Sequence, residues 1–60
     1  MLKEKIGERV RISYNAKSNE VTQDTGILFG VDSDFVVLQL SDDKIKWIPL
    51  RVIVRIEEIE

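Results

Sequence analysis

The 60-residue chain contains no cysteine and no histidine. That removes disulfides, a structural zinc site built on sulfur and imidazole, and the side chains most often used as catalytic nucleophile and base. There is no Gly-x-Ser-x-Gly and no glycine-rich phosphate loop. A general acid or base would have to be a carboxylate on a water-exposed turn, where little moves its pKa. The residues therefore point away from an enzyme, and no metal or other cofactor is expected. No apolar run nears the roughly 18 residues of a membrane span, and Met1 to Glu8 alternates charge where a secretory leader would be apolar. A soluble, cytoplasmic protein without membrane contact is expected, and the lack of cysteine agrees with a reducing compartment.

A basic excess is also missing. Nine basic residues stand against eleven acidic ones, a net charge of −2, whereas binding that lives on non-specific phosphate contacts favours a positive surface. Any nucleic-acid site would need cations gathered locally. The length allows one domain, residues 1–60, and a chain this short buries only about 60% of the surface its unfolded form exposes. With disulfides and zinc excluded, association with further copies is the expected remedy.

What is present reads as β-structure. Leu2 and Ile6 lie four apart with Gly7 at the stop position, enough for one helical turn that either caps a barrel end or docks on a neighbour. Val10, Ile12 and Tyr14 then alternate with Arg9, Arg11 and Ser13, which predicts a half-buried strand with the first set inward. The two arginines share the open face, free to pair with acids of a neighbouring strand or to meet a phosphate. Asn15 to Glu20 is rich in turn formers and predicts a loop. Val21 to Thr25 reads as the exposed start of a long second strand or as an extension of that loop.

The stretch from Gly26 to Leu40 holds two apolar runs around an Asp32-Ser33-Asp34 corner. Ile27, Phe29 and Val31 fall on one face and Leu28, Gly30 and Asp32 on the other; after the corner, Val36, Leu38 and Leu40 oppose Phe35, Val37 and Gln39. Apolar residues on both faces predict that the outer face is covered too, by another subunit or by a sharply bent sheet. Gly26 and Gly30 are the places for that bend. The corner lacks the glycine and distal glutamate of a calcium loop, since Val37 and Asp43 stand there, so it reads as a turn. Further on, Ile45 and Trp47 alternate with Lys44 and Lys46, which places Trp47, like Tyr14, on the core side. Pro49 ends that strand, Leu50 to Val52 suits a 3₁₀ turn, and Ile53 to Ile56 forms a last strand.

The pattern Gly26-x-Leu28-x-Gly30-x-Asp32, followed at once by an apolar strand, resembles the first signature of Sm-like proteins, and Ile53-x-x-Ile56 resembles the end of their second. The likeness runs from Val10 onward with the Asn15–Glu20 stretch excluded. It implies an all-β fold, a five-stranded, strongly bent SH3-like barrel. It also implies rings formed by pairing the edges of the fourth and fifth strands, and single-stranded RNA bound through loop residues. The family's RNA-contacting asparagine falls at Val36, its arginine-glycine pair falls at Pro49-Leu50, and the loop after Tyr14 is longer than the family's.

Two expectations follow. The first is a non-enzymatic Sm-like binding module that self-associates as a homo-oligomer and binds single-stranded RNA through Phe35, Lys46 and Arg51, an aromatic at the corner and two cations flanking the Pro49 turn. The alternative is a protein-interaction or assembly module with no nucleic-acid ligand. There the outward apolar residues Ile27, Phe29, Val31 and Phe35, with Ile53 on the last strand, form the interface with another copy or another protein.

Overall fold

The computed structural model describes residues 2–17 and 20–59. Five strands form one antiparallel sheet: β1 (Arg9–Lys17), β2 (Glu20–Val31), β3 (Phe35–Gln39), β4 (Ile45–Pro49) and β5 (Ile53–Glu58), in the order β4-β3-β2-β1-β5. Two 3₁₀ turns complete it, Leu2–Lys5 at the start and Leu50–Val52 between β4 and β5. The class is all-β, as the alternation and the short links predict. β4 and β5 are the two edges of the sheet, and no ladder joins them among the described residues.

The core lies on the inner face. Val10, Ile12, Leu28, Val36 and Leu38 are fully buried, with Tyr14 and Ile48 nearly so, and Val31, Leu40, Leu50, Val52, Ile53 and Ile56 pack against them. Side chains from β1 and β4, separated in the ladder by two strands, share this one cluster. That requires the sheet to curl, because flat strands sit about 4.8 Å apart.

Four details depart from the sequence expectations. Asn15 to Lys17 and Glu20 are ladder residues, not a loop: β1 and β2 continue together through Tyr14↔Thr22, Asn15↔Val21 and Lys17↔Glu20. A hairpin arm exchanges backbone hydrogen bonds whatever its side chains, so polarity did not break it. Ser18 and Asn19 lie outside the described residues, and so does the Leu2 side chain, which carries half of the expected N-terminal apolar pair. Second, a bulge sets Phe29 between the pairs Leu28↔Leu38 and Gly30↔Val37. The extra residue shifts the alternation by one, so Val31 turns to the core with Leu28 instead of outward with Ile27 and Phe29.

The third departure is β4, whose period is right and whose phase is reversed. Val36↔Ile48 and Leu38↔Lys46 put Ile48 and Lys46 on the inner face, while Ile45 and Trp47 stand outward, 44% and 59% exposed. Once Ile48 is seated in the core, period two decides the rest. The fourth is Ser13, which is buried on the outward-phase side of β1, where its hydroxyl accepts a hydrogen bond from Gln23 Nε2.

The chain before β1 is pinned by main-chain bonds to β2. Gly7 N–H donates to the Leu28 carbonyl at 2.8 Å and Leu28 N–H donates to Glu8 at 2.9 Å. Gly7 adopts φ +95°, a conformation costly for any residue with a side chain. At Gly26 the requirement is space: a Cβ there would sit 2.2 Å from the Gln39 carbonyl oxygen, whereas at Gly30 the nearest atoms are 4.0 Å away. Gly26→Ala is therefore expected to lower stability in urea denaturation by about 1–3 kcal/mol, the usual cost of overpacking. Gly30→Ala should fall within about 1 kcal/mol of the parent; equal losses would show that the close approach at Gly26 does not constrain the sheet.

Candidate binding surfaces

The outer face of β2, β3 and β4 is apolar. Cross-strand partners share a face, so Ile27, Gln39 and Ile45 form one row, Gly30, Val37 and Trp47 the next, and Phe35 with Pro49 the last. Phe29 (58% exposed) and Trp47 (59%) project most, Ile45, Ile27 and Phe35 less, while Val37 is covered. Phe35 and Trp47 meet edge to face, ring centroids 5.9 Å apart at 79°, the geometry in which a ring's positive edge meets another's negative face. Beside Ile27, Arg9 lines a cleft of about 410 Å³ with Gly26, Gln39, Leu40, Ser41 and Asp43. Arg9 and Arg11 make no ion pair among the described residues.

At one end of this face the β2–β3 corner meets the 3₁₀ turn before β5. The Leu50 N–H donates to the Asp34 carbonyl at 2.9 Å, which closes the corner onto the turn. Asp32 Oδ1 accepts the N–H groups of Asp34 and Phe35, both at 2.7 Å. Those two donors, Asp34 first, hold its carboxyl below the ordinary value. The result is a turn fixed by its own aspartate, as the sequence suggests. Phe35 and Arg51 share the cleft here, about 500 Å³, with Ser33, Asp34, Pro49 and Leu50. Thus Pro49 and Leu50, at the place of the family's arginine-glycine pair, line a cleft, whereas Val36, at the place of its asparagine, is wholly buried.

Lys46 is elsewhere. Its inward phase carries it across the core rim to Asp24 Oδ2 at 2.8 Å, with the ammonium 5.2 Å from the Tyr14 ring centroid. The Tyr14 hydroxyl donates to the same carboxylate oxygen at 2.5 Å. This cluster joins β1, β2 and β4, and two of its members, Tyr14 and Lys46, line a cleft of about 330 Å³ with Asn15, Ala16, Trp47, Ile48, Pro49 and Val52. Burial works against ionisation of Asp24, but the hydrogen bonds from Lys46 and Tyr14 outweigh it and the carboxyl titrates below its ordinary range. Hydrogen bonding to Asp24 and Tyr14 raises Lys46. The Tyr14 phenol is raised too, first by burial and then by Asp24. Asp24 carries a signal in the sequence itself: with Leu28 inward, Gly26, Asp24 and Thr22 share its parity.

Of the sequence-derived site residues, Phe35 and Arg51 are brought together and Lys46 is separated from both. Ile27, Phe29 and Phe35 are exposed on one face, whereas Val31 and Ile53 pack against the core. Among the described residues no group of three or more aspartates or glutamates is placed to hold a metal ion, and no helix is long and apolar enough to cross a membrane. Comparison with known proteins finds no matching family model, no matching curated protein and no matching solved structure.

The Asp24 cluster has a definite pH signature. A carboxyl whose folded-state value is depressed stabilises fully above its ordinary value, 3.8 here, and loses that contribution as pH falls through the lower folded value. Asp24→Asn is expected to cost on the order of 1 kcal/mol at neutral pH, where a charge-assisted bond is weakened. In urea denaturation from about pH 7 to pH 2 the gap between parent and variant should close in acid, as the parent's carboxyl protonates. A gap that stays constant would show that the carboxylate's charge does not hold the cluster.

Proposed function

We propose that this chain is a non-enzymatic binding module of Sm-like, SH3-like barrel type that self-associates in the cytoplasm. The observation that carries this reading is the row of large apolar side chains on one sheet face, Ile27, Phe29, Phe35, Ile45 and Trp47, in a chain of 60 residues. Single exposed apolar residues are ordinary, but a contiguous set marks an interaction surface. The outer sides of β4 and β5, unpaired among the described residues, support association as well, since an open strand edge is a template for another chain. Self-association by either route adds the buried area that so small a domain lacks. The resemblance to Sm-like proteins supports a barrel-like curl of the sheet that leaves those edges open for pairing between subunits.

RNA binding is the second reading, and the shared cleft of Phe35 and Arg51 favours it. A half-exposed ring is a platform for a base, and Arg51 makes no ion pair among the described residues, which leaves it for a phosphate. Against it, Asp34 lines the same cleft, the net charge is −2, and the charge of Lys46 is committed to Asp24. The assembly reading therefore ranks first.

Sedimentation equilibrium over a wide concentration range tests the first reading: a mass above that of one chain is expected, and a monomer throughout would remove it. For the second, a labelled oligoribonucleotide should bind at low salt, lose affinity steeply as salt rises, and bind about tenfold more weakly to Arg51→Ala. No binding at low salt would eliminate RNA and leave the assembly module standing.

A further inference from the structure

We infer that the cleft between the β2–β3 corner and the 3₁₀ turn before β5 selects a guanine base in single-stranded RNA, a step that rests on the RNA reading of this site and names the base it takes. Asp34 accepts the two adjacent N–H groups of the base, Phe35 is the ring it stacks on, and Arg51 meets the phosphate.

The juxtaposition of these three residues carries it. The backbone of Asp34 is fixed on both sides, its N–H donating to Asp32 Oδ1 at 2.7 Å and its carbonyl accepting the Leu50 N–H at 2.9 Å. The Asp32 carboxylate is thus spent on the turn. The Asp34 carboxylate makes no hydrogen bond or ion pair among the described residues, so it stands as a free acceptor on a fixed mount. Phe35 follows it, 36% exposed, its ring set edge to face against Trp47. Arg51 follows Leu50, which the same main-chain bond ties to Asp34, and it forms no ion pair with Asp34 or any other described residue. All three line one cleft of about 500 Å³.

The carboxylate decides which base. Beside a phosphate strand it costs affinity by like-charge repulsion, so a cleft that held the backbone alone would be better without it. Its two oxygens can instead accept two parallel N–H bonds. Unpaired bases are read on their Watson–Crick edges while stacked on aromatic rings, and on that edge guanine alone carries two neighbouring donors, N1–H and the 2-amino group. Uracil sets its one N–H between two carbonyl oxygens. Cytosine and adenine place a ring-nitrogen acceptor next to the amino group, and a carboxylate repels those lone pairs.

Fluorescence anisotropy at low salt, with the full chain and a labelled pentauridylate carrying one central guanosine, tests this. That oligomer should bind about tenfold more tightly than pentauridylate or its central adenosine and cytidine counterparts, the discrimination expected of one bidentate pair. Inosine at the centre, which lacks the 2-amino group, should lose part of the gain. Asp34→Asn should erase the preference and leave pentauridylate bound at least as well as by the parent, with the far-ultraviolet circular dichroism unchanged because the side chain holds nothing in the fold. Arg51→Ala should weaken every oligomer alike. Equal affinity for all four central bases, or a preference for guanosine that survives Asp34→Asn, would overturn the guanine site and leave RNA binding standing. No binding of any oligomer at low salt would overturn both.

Discussion

The structure depends on the pairing of β2 along both its sides. This strand exchanges backbone hydrogen bonds with β1 from Glu20 to Ile27 and with β3 from Ile27 to Val31, so the two halves of the molecule are joined through it. Where the two ladders overlap, around Gly26 to Leu28, the chain is most crowded. Gly26 lets the Gln39 carbonyl approach to a distance no side chain would permit, and Leu28 reaches the centre of the core directly opposite Leu38. The bulge at Phe29 then turns the strand, keeps Val31 in the core and sends the phenyl ring out. One extra residue in a ladder thus supplies both part of the core and one of the two most prominent side chains of the outer face.

Curling creates a second requirement, because it brings β4 back over β1 without a ladder between them. The Tyr14, Asp24 and Lys46 cluster spans that gap with a charge-assisted bond and a ring under the ammonium. Partly buried ionic groups of this kind are poor stabilisers compared with apolar packing, but they specify which groups meet. Here the cluster sets the inward direction of Lys46, and with it the outward direction of Trp47. The aromatic character of the outer face and the polar clasp on the inner side are two consequences of a single strand register.

This division also separates the functional readings. A cation that is neutralised within the fold does little for a phosphate, whereas a tryptophan left in water by its strand register has a free-energy reason to find a cover. The clefts are open and shallow, with no buried polar side-chain atom left without a hydrogen-bond partner among the described residues. Broad contact with another macromolecule suits such a surface better than capture of a small molecule, which favours a concave, enclosed pocket.

Much of the architecture was legible in the residues. The alternation in Val10 to Tyr14, the turn chemistry of Asp32 to Asp34, the break at Pro49 and the last strand from Ile53 follow from local rules of period, turn propensity and missing donors, and local rules can be read locally. The candidate site was legible only in part: Phe35 and Arg51 do share a cleft, but nothing in Lys44-Ile45-Lys46-Trp47-Ile48 says which set faces in. Period two fixes which residues stand together and leaves open on which side. That phase was decided by Ile48 seating beside Val36 and by Asp24, far away in sequence, receiving Lys46. The sequence by itself determined the all-β class, the middle of each strand and the turn at Asp32 to Asp34, because these arise from neighbours along the chain, but not the polar arm of the β1–β2 hairpin, which backbone pairing alone extends. Only the tertiary structure decided which apolar side chains are core and which are surface, because that choice is made by contacts between strands and shifted by a single bulged residue.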